Sequence, residues 1–147
     1  MLTSQYWITA AVTGLVVVIC VVLHYEGLRF LTDRLPRPKH HHRRRIVFLI
    51  LSLMLLHIVE VWIFGFAYFG LLQLDGYGEL LGVPPTRLYD YIYYSAAVYT
   101  TVGFGDMYPV GAIRTLTGTE GITGLTMITW SASYTFLEML KSLRPDD

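Results

Sequence analysis

The chain has a single cysteine, Cys20, among 147 residues. No disulfide can close within one chain, and no cysteine-based zinc or redox pattern exists. Cys20 falls in an apolar run, where an inert, buried thiol is expected. Charge is also scarce: 15% of the residues are charged, and 11 basic residues balance 11 acidic ones. A net charge of zero removes any global attraction to nucleic acid. No segment repeats arginine at every third position along a helix, which excludes a voltage sensor of the usual kind. No nucleophile stands at a recognisable spacing from a base, and His57, Glu60 and Glu120 share no motif that would argue for a membrane enzyme. Residues 141–147 are expected to form a short cytoplasmic tail, with no room in it for a nucleotide- or calcium-binding domain.

Apolar residues are plentiful: they make up 54% of the chain, with a mean hydropathy of +0.48. That exceeds an ordinary soluble domain, and the length suits one domain. Residues 8–23 are almost continuously apolar, with Tyr6, Trp7 and Tyr25 at the ends. This run reaches bilayer length and carries aromatics where interfaces want them, so residues 1–28 are read as a membrane helix. A cleaved signal peptide would need a basic start and a small-residue cleavage site, and neither is present. Residues 29–45 form a basic loop broken by Pro36 and Pro38, placed in the cytoplasm by the positive-inside rule. Its Arg37, Lys39, Arg43, Arg44 and Arg45 suit contact with anionic lipid heads. The triple histidine His40, His41 and His42 is read as a solvated part of that loop rather than a metal or pH site.

Residues 46–72 are the second span, an outer helix about 40 Å long at 1.5 Å per residue, which should tilt or protrude. His57 and Glu60 stand three residues apart on one face near its middle. Charges at that depth should face protein or water. They make either a polar clamp to a neighbouring helix or an element of gating or proton sensitivity. Residues 73–85 read as an extracellular turret, and the Gly76-Tyr77-Gly78 triplet in it as turn chemistry. Residues 86–100, with Thr86 as N-cap, form a helix too short to span, which must re-enter and be buried in protein. Its Tyr89, Tyr91, Tyr93, Tyr94 and Tyr99 suit a cuff around whatever follows.

Residues 111–140 are the third span, an inner helix with a stripe of Thr119, Thr123, Thr126, Thr129 and Ser133. A stripe of that kind suits a water-filled cavity, with Thr126, Thr129 and Ser133 as the lining, although hydroxyls bonding their own backbone would give the same pattern. Gly121 and Gly124 are hinge candidates, permitting close packing or a bend. Glu120 is open to two readings: support behind the loop that follows the short helix, or an anchor to Arg114 or His57.

That loop, residues 101–106, reads Thr101-Val102-Gly103-Phe104-Gly105-Asp106. A dehydrated cation needs a cage of oxygens, and backbone carbonyls supply them without net charge. For successive carbonyls to face one axis, the backbone must alternate between right- and left-handed regions, and Gly103 and Gly105 suit the left-handed positions. Val102 and Phe104 would then pack behind the loop. One chain carries one strand of such a cage, and a closed cage needs about four, which implies a homotetramer. The segment resembles the Thr-Val-Gly-Tyr-Gly selectivity filter of potassium channels. Tyr93-Tyr94-Ser95 is similar to the aromatic-aromatic-Ser of that superfamily's pore helix, and Asp106-Met107-Tyr108-Pro109 to the segment after its filter. The resemblance covers about residues 46–140.

What the resemblance implies is an all-α membrane protein: three transmembrane helices plus a re-entrant pore helix and filter loop, four copies around a central pore. K⁺ would bind at Thr101, Val102, Gly103 and Phe104, with Gly105 completing the filter and no cofactor. The N-terminus would lie outside and the C-terminus in the cytoplasm. Three departures from the family bear on filter support. Tyr94 stands where many members have a tryptophan bonded to the filter aspartate, making Tyr94–Asp106 the corresponding pair. Ala97 stands where some have a glutamate, and Phe104 where most have tyrosine. Two other functions remain open: a weakly selective cation channel, or a non-conducting membrane subunit that needs a partner.

Overall fold

Long apolar runs without internal proline form two helices, α1 (Ser4–Arg34) and α2 (His42–Leu72), in a computed structural model that describes residues 4–34 and 42–143. Both α1 and the segment Arg43–Leu72 are long and apolar enough to cross a membrane. Helices α1 and α2 have 31 residues each and are about 46 Å long, well beyond a hydrocarbon core of about 30 Å. Then come β1 (Glu79–Gly82), the short helix α3 (Leu88–Tyr99), β2 (Met107–Val110) and α4 (Arg114–Leu143). α4 has 30 residues, one fewer than α1, and its threonines and glycines make it less apolar.

Helix α1 buries Thr9, Thr13, Val16, Cys20, His24, Leu28 and Leu31. The spacing of three or four puts all seven on one stripe, while Trp7, Leu15, Val18 and Val22 on the remaining surface are exposed. Thr9 and Thr13 hide their hydroxyls on the carbonyls of Gln5 and Thr9, at 2.8 and 2.7 Å. The stripe seats α1 against both α2 and α4 of its own chain. Cys20 is fully buried, as expected of an inert thiol.

The helix limits differ from expectation at the basic segment. α1 runs six residues past 28, and α2 already includes residues 42–45. Arginine is a good helix former, so charge alone does not end a helix that extends past the membrane. Residues 35–41, with Pro36, Pro38, His40 and His41, and the tail residues 144–147 lie outside the described residues. α3 begins at Leu88, with Arg87 at the N-cap in place of Thr86. Asp90 holds that turn: its Oδ2 accepts the Thr86 and Arg87 N–H groups at 2.7 and 2.8 Å. Those backbone bonds keep the exposed Asp90 carboxyl below its ordinary range.

A two-stranded antiparallel sheet, which no sequence pattern announced, joins the segments on either side of α3. It pairs Glu79 with Val110, Leu80 with Pro109, Leu81 with Tyr108 and Gly82 with Met107. Pro109 is tolerated because both strands are edges. The Gly76-Tyr77-Gly78 triplet makes the turn before β1, with Tyr77 buried and its carbonyl accepting the Ile113 N–H at 2.9 Å.

The main core gathers around α3. It joins Cys20 of α1, Phe64 and Tyr68 of α2, Tyr91, Tyr94 and Tyr99 of α3, and Ile113 and Leu116 of α4. A second cluster, Leu28, Leu31, Leu49 and Leu53, joins α1 to α2 near their linked ends, with Tyr134 of α4 against it. There Thr32 Oγ1 and the Tyr134 hydroxyl are 2.7 Å apart, and Arg45 pairs with the buried Glu138.

Gly124 is the point of closest approach between α4 and the end of α3. A Cβ there would fall onto the Tyr99 carbonyl oxygen, whereas one at Gly121 would meet only the Val98 carbonyl at 3.8 Å. Of the two hinge candidates, only Gly124 is thus required by packing. Gly124→Ala is expected to destabilise the purified protein by about 1–3 kcal/mol through overpacking, and Gly121→Ala to have little effect. Thermal unfolding of the two variants in detergent checks this; equal melting would remove the contact.

Candidate pore loop and its supports

The loop leaves α3 through a run of backbone bonds, joined by the Thr100 hydroxyl, which donates to the Ala96 carbonyl at 2.7 Å. The Thr100 N–H donates to the Ala96 carbonyl at 3.1 Å, Thr101 to Val98 at 2.9 Å, and Gly103 to Ala97 at 3.0 Å. Ala97 contributes this carbonyl and a buried methyl; it holds no charge behind the loop. The backbone then alternates: Thr101, Gly103 and Gly105 have φ of 60°, 50° and 82°, and Val102 and Phe104 between them do not have positive φ. This is the alternation that a row of carbonyls along one axis requires. Gly103 and Gly105 fall where expected. Thr101 is an additional left-handed position, costly for a β-branched residue.

Every residue from Thr101 to Asp106 is exposed in the single chain. Val102 therefore has no cover from its own chain. Phe104 is exposed as well, but its ring stacks on Tyr93, with centroids 6.1 Å apart and planes 5° from parallel. Tyr93 also donates its hydroxyl to Asp106 Oδ2 at 2.9 Å. The expected Tyr94–Asp106 pair is thus replaced by Tyr93–Asp106. One residue along a helix is a turn of about 100°, and it carries Tyr94 inward. There the Tyr94 ring meets Tyr68 edge-on, centroids 5.0 Å apart, and its hydroxyl lies 3.2 Å from Thr117 Oγ1. Asp106 is tied further: Oδ1 accepts the Met107 N–H at 3.1 Å, and its carbonyl accepts Val83 N–H at 2.9 Å. The tyrosine cuff is therefore divided, with Tyr91, Tyr94 and Tyr99 buried and Tyr89 and Tyr93 on the open face.

Behind α3 lie two buried carboxyl groups. Glu120 of α4 faces Ser95 Oγ at 2.5 Å through Oε1 and accepts the Tyr68 hydroxyl at 2.5 Å through Oε2. It bonds neither Arg114 nor His57, so the anchor reading falls and Glu120 stands behind the short helix. Glu60 of α2 is also fully buried. It pairs with His57, as its spacing suggests, at 3.0 Å from Nδ1 to Oε2. It also accepts the Tyr99 hydroxyl, and its Oε1 lies 2.9 Å from His24 Nδ1 on α1. His24 was not singled out from the sequence, because it closes an apolar run with only leucine and tyrosine beside it. Its place on the buried α1 stripe is the signal that would have found it.

On α4, Thr126, Thr129 and Ser133 share one exposed face, and their hydroxyls donate to the carbonyls of Ile122, Leu125 and Thr129 at 2.8–3.0 Å. Thr123 leaves the expected stripe and is buried.

Long apolar helices around a short internal helix that delivers an alternating glycine loop define an all-helical membrane protein of the channel class. The family model of ion channels matches residues 56–141, and the chain belongs to that family. Membership makes it a channel rather than an enzyme. Neither the curated proteins nor the solved structures yielded a match.

Proposed function

We propose that the protein is a potassium-selective channel, formed by four copies arranged around the loop 101–106. The observation that carries this is the left-handed backbone at positions 101, 103 and 105 of a Thr-Val-Gly-Phe-Gly segment. In this reading the carbonyls of Thr101, Val102, Gly103 and Phe104, with the Thr101 hydroxyl, replace the hydration shell of K⁺. Gly105 and Asp106 form the outer mouth. Repulsion between ions in adjacent sites keeps the flow fast. Helix α3 serves as the pore helix, its C-terminal dipole favouring a cation in the cavity. Helix α4 is the third span and lines that cavity with Thr126, Thr129 and Ser133. Val102, exposed in one chain, is covered by neighbouring copies.

The membrane orientation follows from the basic residues at the joined ends of α1 and α2, which stay in the cytoplasm and leave the N-terminus outside. Arg43 and Arg44 flank an apolar groove over Val47, Phe48 and Leu51, a shape and charge suited to an anionic lipid.

The test is the reversal potential of the purified protein in a planar bilayer with K⁺ on one side and Na⁺ on the other. A value strongly displaced toward the K⁺ equilibrium potential is expected. A value near zero with clear current would leave a weakly selective channel and point to the support around Ala97 and Phe104.

A further inference from the structure

The Glu60 carboxylate offers acceptor sites on both oxygens, and two histidines converge on it from different helices and take different oxygens. His24 Nδ1 lies 2.9 Å from Oε1, and His57 Nδ1 lies 3.0 Å from Oε2. The ligand atoms of all three residues lie within 4.8 Å of one another, and His24 and Glu60 are fully buried. We propose that His24, His57 and Glu60 form a binding site for a zinc-class divalent ion that ties α1 to α2 beside the end of α3.

The donor set fits such an ion. Two imidazoles and one carboxylate suit zinc, with bonds of about 2.0–2.2 Å and the ligand atoms about 3.3 Å apart in a tetrahedron. The histidine–carboxylate pairs would open by a few tenths of an ångström, and the more widely separated imidazole nitrogens would draw together. Binding through Nδ1 requires each imidazole to carry its proton on Nε2. Ser131 Oγ of α4 stands 3.3 Å from His24 Nε2, and a hydroxyl can donate to that nitrogen or accept from it. Ser131 therefore serves either tautomer of His24, with and without the ion. This is the outer partner that metal-bound histidines use to fix their ring.

The remaining side of the cluster is filled by the Tyr99 hydroxyl, 3.0 Å from His57 Nδ1 and bonded to Glu60. The His57 side chain is 20% exposed, which provides an approach that His24 and Glu60 lack. A divalent charge also answers a need, because among the described residues the Glu60 carboxylate has no arginine or lysine partner. Tyr99 ends α3, just before the loop, so the ion would stiffen the base of that loop through an intervening hydroxyl. The site stands whether or not the pore selects potassium.

The experiment is a zinc titration of the purified, chelator-treated full-length protein against a chromophoric competitor, with thermal stability measured in parallel. Wild type is expected to bind one ion per chain and to melt at a higher temperature when loaded. His57→Gln, which keeps bulk and polarity, should weaken binding at least about tenfold and lose the thermal shift. Glu60→Gln, a close isostere, should do the same. His40→Asn/His41→Asn/His42→Asn, changed together, should bind as wild type does. Cobalt(II) should give the visible absorption of a tetrahedral centre, absent in His57→Gln. Sub-stoichiometric binding by wild type would overturn the site, as would binding that survives in folded His57→Gln and Glu60→Gln or is lost in the triple variant.

Discussion

Gly103→Ala is expected to abolish K⁺ current while leaving the purified assembly at its normal size. Gly103 has φ of 50°, and a Cβ added there would meet nothing within 4 Å in its own chain. The penalty is therefore conformational: the left-handed region costs about 1–2 kcal/mol for a residue with a side chain. In the proposed ring of four copies the same strain would recur at one level, so the four loops together would carry about 4–8 kcal/mol. That is enough to turn peptides over and aim their carbonyls away from the axis, removing a ring of ligands. The fold rests elsewhere, on the core around Phe64, Tyr68 and Tyr99. Gly76 is the control. It too has positive φ, 87°, but it belongs to the turn before β1, and its nearest neighbour would be the movable Gln5 side chain at 3.2 Å. Gly76→Ala should leave ion preference unchanged. Potassium flux into vesicles, with size-exclusion elution as the check on assembly, separates the two variants. Full K⁺ flux in Gly103→Ala would remove this loop as the filter.

That contrast also marks what a sequence of this kind makes legible. Continuous apolar runs and a glycine alternation are local patterns, and they marked α1, α2 and α3, although α1 ends six residues later and α2 begins four residues earlier than expected. The turn reading of Gly76-Tyr77-Gly78 was likewise legible, since no short helix leads into it. What stayed hidden depends on rotation about a helix axis and on partners far along the chain. Tyr93 and Tyr94 are the same residue type side by side, and only packing on Tyr68 decides which of them turns to Asp106. Thr123 and Thr126 are equally polar, yet α4 buries one and exposes the other. His24 meets Glu60 across 36 positions, a separation at which no periodicity speaks. The β1–β2 pairing joins two four-residue segments on either side of α3, too short and too irregular to announce themselves.

Glu120→Ala is expected to cost about 2–5 kcal/mol of stability, and Glu120→Gln far less. The difference comes from counting protons. Ser95 Oγ lies 2.8 Å from the Val61 carbonyl and 2.5 Å from Glu120 Oε1, and a hydroxyl has one proton to give. The Val61 carbonyl can only accept. When Ser95 donates to it, the proton shared with Glu120 must come from the glutamic acid, while Tyr68 donates to the other oxygen. Glutamine reproduces this pattern with its NH₂ toward Ser95 and its carbonyl toward Tyr68. Alanine takes one partner from each hydroxyl, leaving Ser95 the Val61 carbonyl and Tyr68 only the longer contact to Thr117 at 3.3 Å, and opens a cavity between α2, α3 and α4. Thermal unfolding of the two variants in mild detergent measures the gap. Equal damage from both would mean that the brace needs a charged carboxylate, and the neutral acid would be abandoned. A stable Glu120→Gln with altered channel opening would instead give its place behind α3 a role in gating, passing the position of α4 to Ser95 and from there to the base of the loop.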